Sequence, residues 1–332
     1  MEYEKIKIYV TKRIAEILEK DAEIFDFLKS DGITPNRNAF LTTLILNYSN
    51  TYQERQKSLN KLMQSVIKKN SYLQDETIRN ISALIINEFN EQYIFDSNEK
   101  FDKLISFKPT KATTGIIEYI NNYLLENYSL SEYFRNMFKS YCALPQDVRE
   151  QIIFKENYTL INTAIKNKKH IFISTQNGKQ NGMELSPYGF SRTKEEIHIY
   201  LMFKQKDACK SIKLSKIKAV TILEKDAQFN SNDLLLFEKM QKFGVQFPYD
   251  IEDTQIVVRL TPRGKTLFHK IYIHRPIPSK IENDIFTFNC SALQTIQYFS
   301  RFGNDVEILS PDGVRNAIYD FHNSFVKKID NQ

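Results

Sequence analysis

The residues of this chain best suited to chemistry are lysines set among aromatic side chains. Between Lys155 and Lys225 stand fourteen Lys or Arg against six Asp or Glu. The first 150 residues hold 20 basic and 21 acidic side chains, and residues 251–332 hold 10 and 9. The formal net charge of +6 therefore originates in the middle third. A segmental excess of this kind is the footprint of a polyanion-binding module. Lysine neutralises phosphate as a point charge and does not grip it bidentately. Tyr200 stands on the alternating run 197–203, where His198, Tyr200 and Met202 share one face and Ile197, Ile199, Leu201 and Phe203 the other. Tyr200 there either stacks on a base, at about 1–3 kcal/mol, or packs on a neighbouring helix; both readings are open. Lys210 and Lys216 bracket Ile212 and Leu214 on one face of an ideal strand. The chain therefore bends near Ser215, or the lysines snorkel to a rim. Lys204, Lys206, Lys213 and Lys218 complete the cationic set, whose plainer reading is a solvated lysine face.

Other chemistry is poorly represented. His170, His198, His269, His274 and His322 are scattered, with no metal-ligand spacing and no nucleophile elbow, and the nine glycines form no phosphate loop. The expectation is a non-enzymatic protein without catalytic residues, metal or cofactor. Cys142, Cys209 and Cys290 form no C-x-x-C pair, which fits a reducing compartment. The opening MEYEKIKIYV lacks the basic and apolar regions of a signal peptide. No apolar run reaches the roughly 18 residues of a membrane helix. A cytoplasmic location without a membrane partner is expected.

These side chains need elements to position them. Ile6, Ile8 and Val10 alternate with Lys5, Lys7 and Tyr9, which reads as a strand with one apolar face. A helix with Ile14, Ile17, Leu18, Ala22, Phe25 and Leu28 follows, stopped by Asp31-Gly32. Thr34-Pro35 opens a second helix. Residues 1–50 thus form a ribbon-helix-helix-like unit, whose single strand needs a partner strand. Lys5, Lys7 and Tyr9 occupy the positions a ribbon offers to the major groove. Asn36, Arg37 and Asn38 start the second helix, where backbone N–H groups favour phosphate. Residues 1–50 carry seven basic and eight acidic side chains, so a ribbon used for assembly or docking is the alternative.

Residues 51–150 read as a helical region containing an echo of that unit at 104–141. Leu104 to Lys108 alternates, a helical stretch runs from Thr114 to Asn127, and Ser129 caps another helix. Asn38-Ala39-Phe40-Leu41 aligns with Ser131-Glu132-Tyr133-Phe134, and Tyr48 with Tyr141. Either one chain supplies both halves of the ribbon, with Ile6 to Val10 antiparallel to Leu104 to Lys108, or two amphipathic helices merely align. Residues 151–226 become short strands with turn signals at Asn177-Gly178 and Asn181-Gly182, the pattern of a small barrel. Residues 227–332 read βαββαβ plus a helix, a ferredoxin-like extension and the expected homodimer contact. The fold class is α+β multidomain.

Three segments resemble WYL-domain proteins. Ile199-Tyr200-Leu201 stands where that family has Trp-Tyr-Leu, preceded by Glu184-Leu185-Ser186-Pro187-Tyr188-Gly189-Phe190. Lys210-Ser211-Ile212-Lys213-Leu214-Ser215-Lys216-Ile217 is similar to the family's Arg-x-Phe-x-Leu-x-Arg-Ile, with Lys at both Arg positions. Arg301 to Pro311 looks like its C-terminal extension. The resemblance covers residues 129–329 and implies an Sm-like barrel binding nucleic acid or a nucleotide-type ligand. It implies a site of Ser186, Tyr188, Arg192, His198, Tyr200, Lys204, Lys210, Lys213 and Lys216. Lysine in place of arginine loses the bidentate fork, which favours backbone binding over a precisely read ligand. The whole arrangement resembles accessory proteins encoded beside RNA-targeting type VI CRISPR effectors. That implies a single-stranded RNA partner and a CRISPR effector ribonuclease enhanced by it. The alternative is a ligand-sensing transcriptional regulator with the ribbon on DNA.

Overall fold

The structure is a computed structural model describing residues 4–92, 100–125, 129–175, 182–192, 198–249 and 255–330. The chain divides into two compact units, residues 1–155 and 156–332.

In the first unit, strand β1 (Ile6–Val10) leads into helix α1 (Lys12–Ile24), capped by the Thr11 side chain. The helix ends earlier than its apolar spacing predicts. Asp26 takes a left-handed conformation (φ 63°), and the Phe27 N–H donates back to the Ala22 carbonyl. Asp26 thus fills the terminator role expected of Gly32, which instead turns the following loop at φ 69°. Helix α2 (Arg37–Asn70) runs for 34 residues, and its buried residues stop at Tyr52. Beyond that it leans on α3 (Asp75–Gln92), where Ile78 and Ile86 are buried. Strand β2 (Lys103–Phe107) pairs antiparallel with β1 in the register Ile6↔Phe107 to Val10↔Lys103. Both strands of the ribbon therefore come from one chain. Helices α4 (Lys111–Tyr123), α5 (Leu130–Cys142) and α6 (Gln146–Ile153) complete the unit. Ile8, Val10 and Phe107 face a core with Ile14, Phe40, Leu44, Tyr48, Phe134 and Tyr141.

A buried ion pair ties three of these helices together. Asp21 of α1 is fully buried and accepts from Arg149 Nε (2.7 Å) and Nη2 (2.9 Å) of α6. The Tyr141 hydroxyl of α5 donates to the same carboxylate at 2.8 Å. Burial, then the adjacent Asp21 charge, pushes the Tyr141 phenol well above its ordinary pKa.

The second unit opens with α7 (Lys155–Lys166). Strands β3 (Lys169–Thr175), β4 (Met183–Arg192), β5 (Ile199–Gln205), β6 (Ala208–Lys213) and β7 (Ile217–Asp226) form a sheet in the order β6-β5-β4-β3-β7. This corrects the expected Sm-like barrel of the WYL type. The sheet is open: β6 and β7 are its two edges, each paired on one side only. A 3-10 turn at Leu214–Lys216 ends β6 and carries the chain to the far edge, so no ladder among the described residues closes the sheet. The turn signals Asn177-Gly178 and Asn181 lie outside the described residues, as does Ile197; Gly182 adopts φ 82°. Tyr158 of α7 stacks on Phe190 at 4.7 Å, which covers one face. Helix α8 (Ser231–Phe243) covers the other, with Phe237 and Met240 on Tyr200 and Met202.

Strand β8 (Gln255–Leu260), helix α9 (Pro262–Lys270), strands β9 (Pro278–Glu282) and β10 (Ile285–Asn289), helix α10 (Ala292–Phe299), strand β11 (Val306–Ser310) and helix α11 (Asp312–Asp330) follow. The βαββαβ succession is as read from the sequence, in an antiparallel sheet ordered β11-β8-β10-β9. Gly264 in α9 lies so close to the Asp305 carbonyl that no side chain fits between them.

Candidate nucleic-acid interface

The sheet's alternation assigns each expected site residue to a face. Across β4, β5 and β6 the partners are Ser191↔Tyr200↔Lys213, Gly189↔Met202↔Ser211 and Ser186↔Lys204↔Cys209. All of these lie on the face that α8 covers. Tyr200 is 8% exposed within the cluster of Met202, Phe237, Met240 and Val245. Of the two open readings of Tyr200, the packed one matches its position. Tyr188 stacks on Phe237 at 4.1 Å and 10° between planes, so it too serves the helix contact. His198 and Ser186 are buried.

Lys204 leaves the cationic set. Its Nζ donates to Asp233 Oδ2 at 2.6 Å, and that carboxylate also accepts from the Asn230 N–H. The hydrogen bond to Asp233 raises the Lys204 pKa. Burial works against the Asp233 charge, yet the bonds from Lys204 and Asn230 outweigh it and hold the carboxyl below the usual range. The pair is a structural clamp between β5 and α8.

What stays at the surface is a set of lysines on the two edge strands and in the turns beside them. Lys206 in the β5–β6 turn, Lys210 on β6 and Lys218 on β7 are exposed, while Lys213 and Lys216 are half-buried. Lys210 Nζ reaches Gln205 Oε1 at 3.2 Å, and Lys213 Nζ lies 6.0 Å from the Tyr200 ring centroid. Arg192 is exposed at the end of β4. The structure thus separates the expected site. Arg192 and Lys210 are exposed and Lys213 and Lys216 half-buried, whereas Ser186, His198 and Tyr200 are buried and Tyr188 and Lys204 engage α8.

Sequence reading missed a polar chain on the neighbouring strands. The Ser186 hydroxyl lies 2.9 Å from His170 Nε2, His170 Nδ1 lies 2.9 Å from Glu184 Oε1, and Lys225 Nζ donates to the same oxygen at 2.7 Å. Lys225, followed by His170, lowers the Glu184 pKa. Two residues apart on β4, Glu184 and Ser186 share a face, and His170 on β3 lies across from them. The spacing of Glu184 and Ser186 is visible in the sequence; their partner strand is not.

In the first unit, the ribbon's outer face carries Lys7 opposite Ser106 and Tyr9 opposite Leu104, all exposed, with Lys5 and Lys108 at its end. The expected phosphate site at the start of α2 is otherwise engaged. Asn36 caps the helix by accepting from the Ala39 N–H (3.1 Å), Arg37 pairs with Glu19, and the Asn38 amide clasps the backbone N–H and carbonyl of Lys108. No helix among the described residues is long and apolar enough to cross a membrane.

No family model and no curated protein matches the chain. Among solved structures, one described as a CRISPR Cas-related protein superposes with a TM-score of 0.67 at 18% identity, covering 100% of this chain and 96% of that one. A second, proteasome accessory factor B/C of Arthrobacter aurescens, aligns over 66% of this chain and 36% of its own with a TM-score of 0.23 at 12% identity, too low to carry an argument. The chain shares its fold, end to end, with a CRISPR Cas-related protein.

Proposed function

We propose that this protein is a non-catalytic accessory of a CRISPR system that binds single-stranded RNA through the lysine rim of its five-stranded sheet and thereby aids an RNA-cleaving effector. The observation that carries this reading is the rim itself. From Lys206 to Lys218 five lysines stand on the two edge strands and in the turns before and between them, with Asp207 the one acid among them. The plainer role of lysines on an edge strand is to deter strand pairing with other chains. The charge excess of the whole segment exceeds what one edge needs, and the fold shared with a CRISPR Cas-related protein supports the biological setting. Because the aromatic residues are committed to packing, binding works by phosphate neutralisation and is tolerant of sequence.

The test is anisotropy of a labelled 20-nucleotide poly(U) on the full chain across a salt series. The triple change Lys210→Glu, Lys213→Glu, Lys216→Glu weakens binding by at least about tenfold at low salt and flattens the salt slope. Equal affinity of the triple variant and the wild type at low salt would falsify the assignment.

A second reading, a transcriptional regulator, rests on the ribbon. Lys5, Lys7 and Lys108 share its outer face with Tyr9, Leu104 and Ser106, and none of these is acidic. Duplex DNA binding lost in Lys5→Glu/Lys7→Glu, with poly(U) binding intact, favours that reading.

A further inference from the structure

The two outer edges of the ribbon are finished differently. On β1, the Ser131 hydroxyl of α5 donates to the Lys7 carbonyl at 2.9 Å, and Arg135 Nε of α5 donates to the Tyr9 carbonyl at 2.7 Å. Lys7 and Tyr9 therefore point their backbone polar groups away from β2. In an antiparallel ladder both members of such a pair turn outward together. Their partners Ser106 and Leu104 consequently turn their N–H and C=O groups away from β1, to the free edge of β2.

On that edge the helix that matches α5 is α2. The alignment of Asn38 with Ser131 places Thr42 where Arg135 stands in the other half. Asn38 does its share and clasps Lys108. Thr42 is too short to cap β2, and its own buried hydroxyl has no hydrogen-bond partner. Beside β2, between it, α1 and the start of α2, a cavity of about 370 Å³ opens. Its wall includes Lys103 to Ser106 and no residue of β1, so it lies on the outward side of β2. Leu18, Phe40 and Leu41 give it an apolar floor, and Arg37, Lys103 and Glu19 stand at its margin. With Glu19 already paired to Arg37, the margin carries one excess positive charge.

We propose that this cavity is a peptide-binding site: an extended segment of a partner protein adds a third strand along β2, inserts one large apolar side chain on Leu18, Phe40 and Leu41, and places an acidic residue near Lys103 and Arg37. Two outward N–H/C=O pairs at residues two apart are what a strand recognises, and the pocket and charge supply selectivity. A small apolar ligand would use the floor and leave those backbone groups unpaired.

Panning a phage-displayed library of random heptapeptides against the full chain tests the site. The selected peptides carry an apolar residue with an acidic residue one or two positions away, and synthetic copies bind the wild type. Ser106→Pro removes an outward N–H without touching the β1 ladder. Ala15→Leu fills the cavity from α1 and leaves the ribbon alone. Each lowers affinity by at least about tenfold, with the melting temperature and poly(U) binding unchanged. N-methylation of alternate peptide amides does the same. The inference is overturned if no peptide family emerges, if both variants bind as the wild type does, or if the N-methylated peptide binds equally well.

Discussion

At the residue scale, the most consequential side chain of the first unit is Asp21. It is fully buried and its charge is met by Arg149 and Tyr141. Removing one partner from a buried pair leaves the other uncompensated. Asp21→Ala is expected to destabilise the first unit by about 3–5 kcal/mol, read as a lowered denaturant midpoint. Tyr200 makes a similar point in the second unit. Tyr200→Ala opens a cavity under α8 and costs about 3 kcal/mol, while Tyr200→Phe keeps the ring and the packing. Poly(U) affinity of both variants, measured below their melting temperatures, stays near the wild-type value. A loss of RNA binding with unchanged melting in Tyr200→Ala would restore the stacking role. The candidate residues were legible in sequence because lysine clustering is a local property. Their division into presented and packed groups was not, because Asp233, which engages Lys204, lies 29 residues away on a helix whose docking face no short-range pattern reveals.

At the element scale, α8 is held by its apolar face and by the Lys204–Asp233 clamp. The Asp233 carboxyl is depressed by the clamp, so its contribution is present above the ordinary carboxylate pKa of about 3.9 and is lost as pH falls through the lower folded value. The Lys204 pKa is raised, so its share is present below the ordinary lysine value of about 10.4 and is lost as pH rises past the folded one. Stability from the clamp is therefore flat across neutral pH and falls at both extremes. Asp233→Asn removes about 2–3 kcal/mol at pH 7 and abolishes much of the acid-side slope, measured by urea unfolding at pH 3 and pH 7. In the C-terminal sheet, Gly264→Ala forces α9 off the Asp305 carbonyl and costs about 1–3 kcal/mol. The order of elements was readable from alternation and caps. Sheet closure was not, because it depends on whether β6 and β7 meet, and neither strand's composition decides that.

At the scale of the whole molecule, the intrachain ribbon makes the first unit self-sufficient. A fragment of residues 1–155 is expected to melt at a temperature independent of protein concentration, since both strands of its ribbon belong to it. A melting temperature that climbs with concentration would mean that the strands exchange between chains. This arrangement was legible in outline, because the match of Tyr48 with Tyr141 and of Asn38 with Ser131 survives in the sequence. The mismatch of Thr42 with Arg135 gained meaning only once the two edges of the ribbon were placed.

A ribbon assembled from two identical chains inherits every substitution twice. Here the two copies are written separately in one gene, so each side of the ribbon is free to drift alone. One half carries an arginine that seals its strand, and the other carries a threonine that does not. The ribbon therefore has a left and a right, able to present different surfaces to different neighbours.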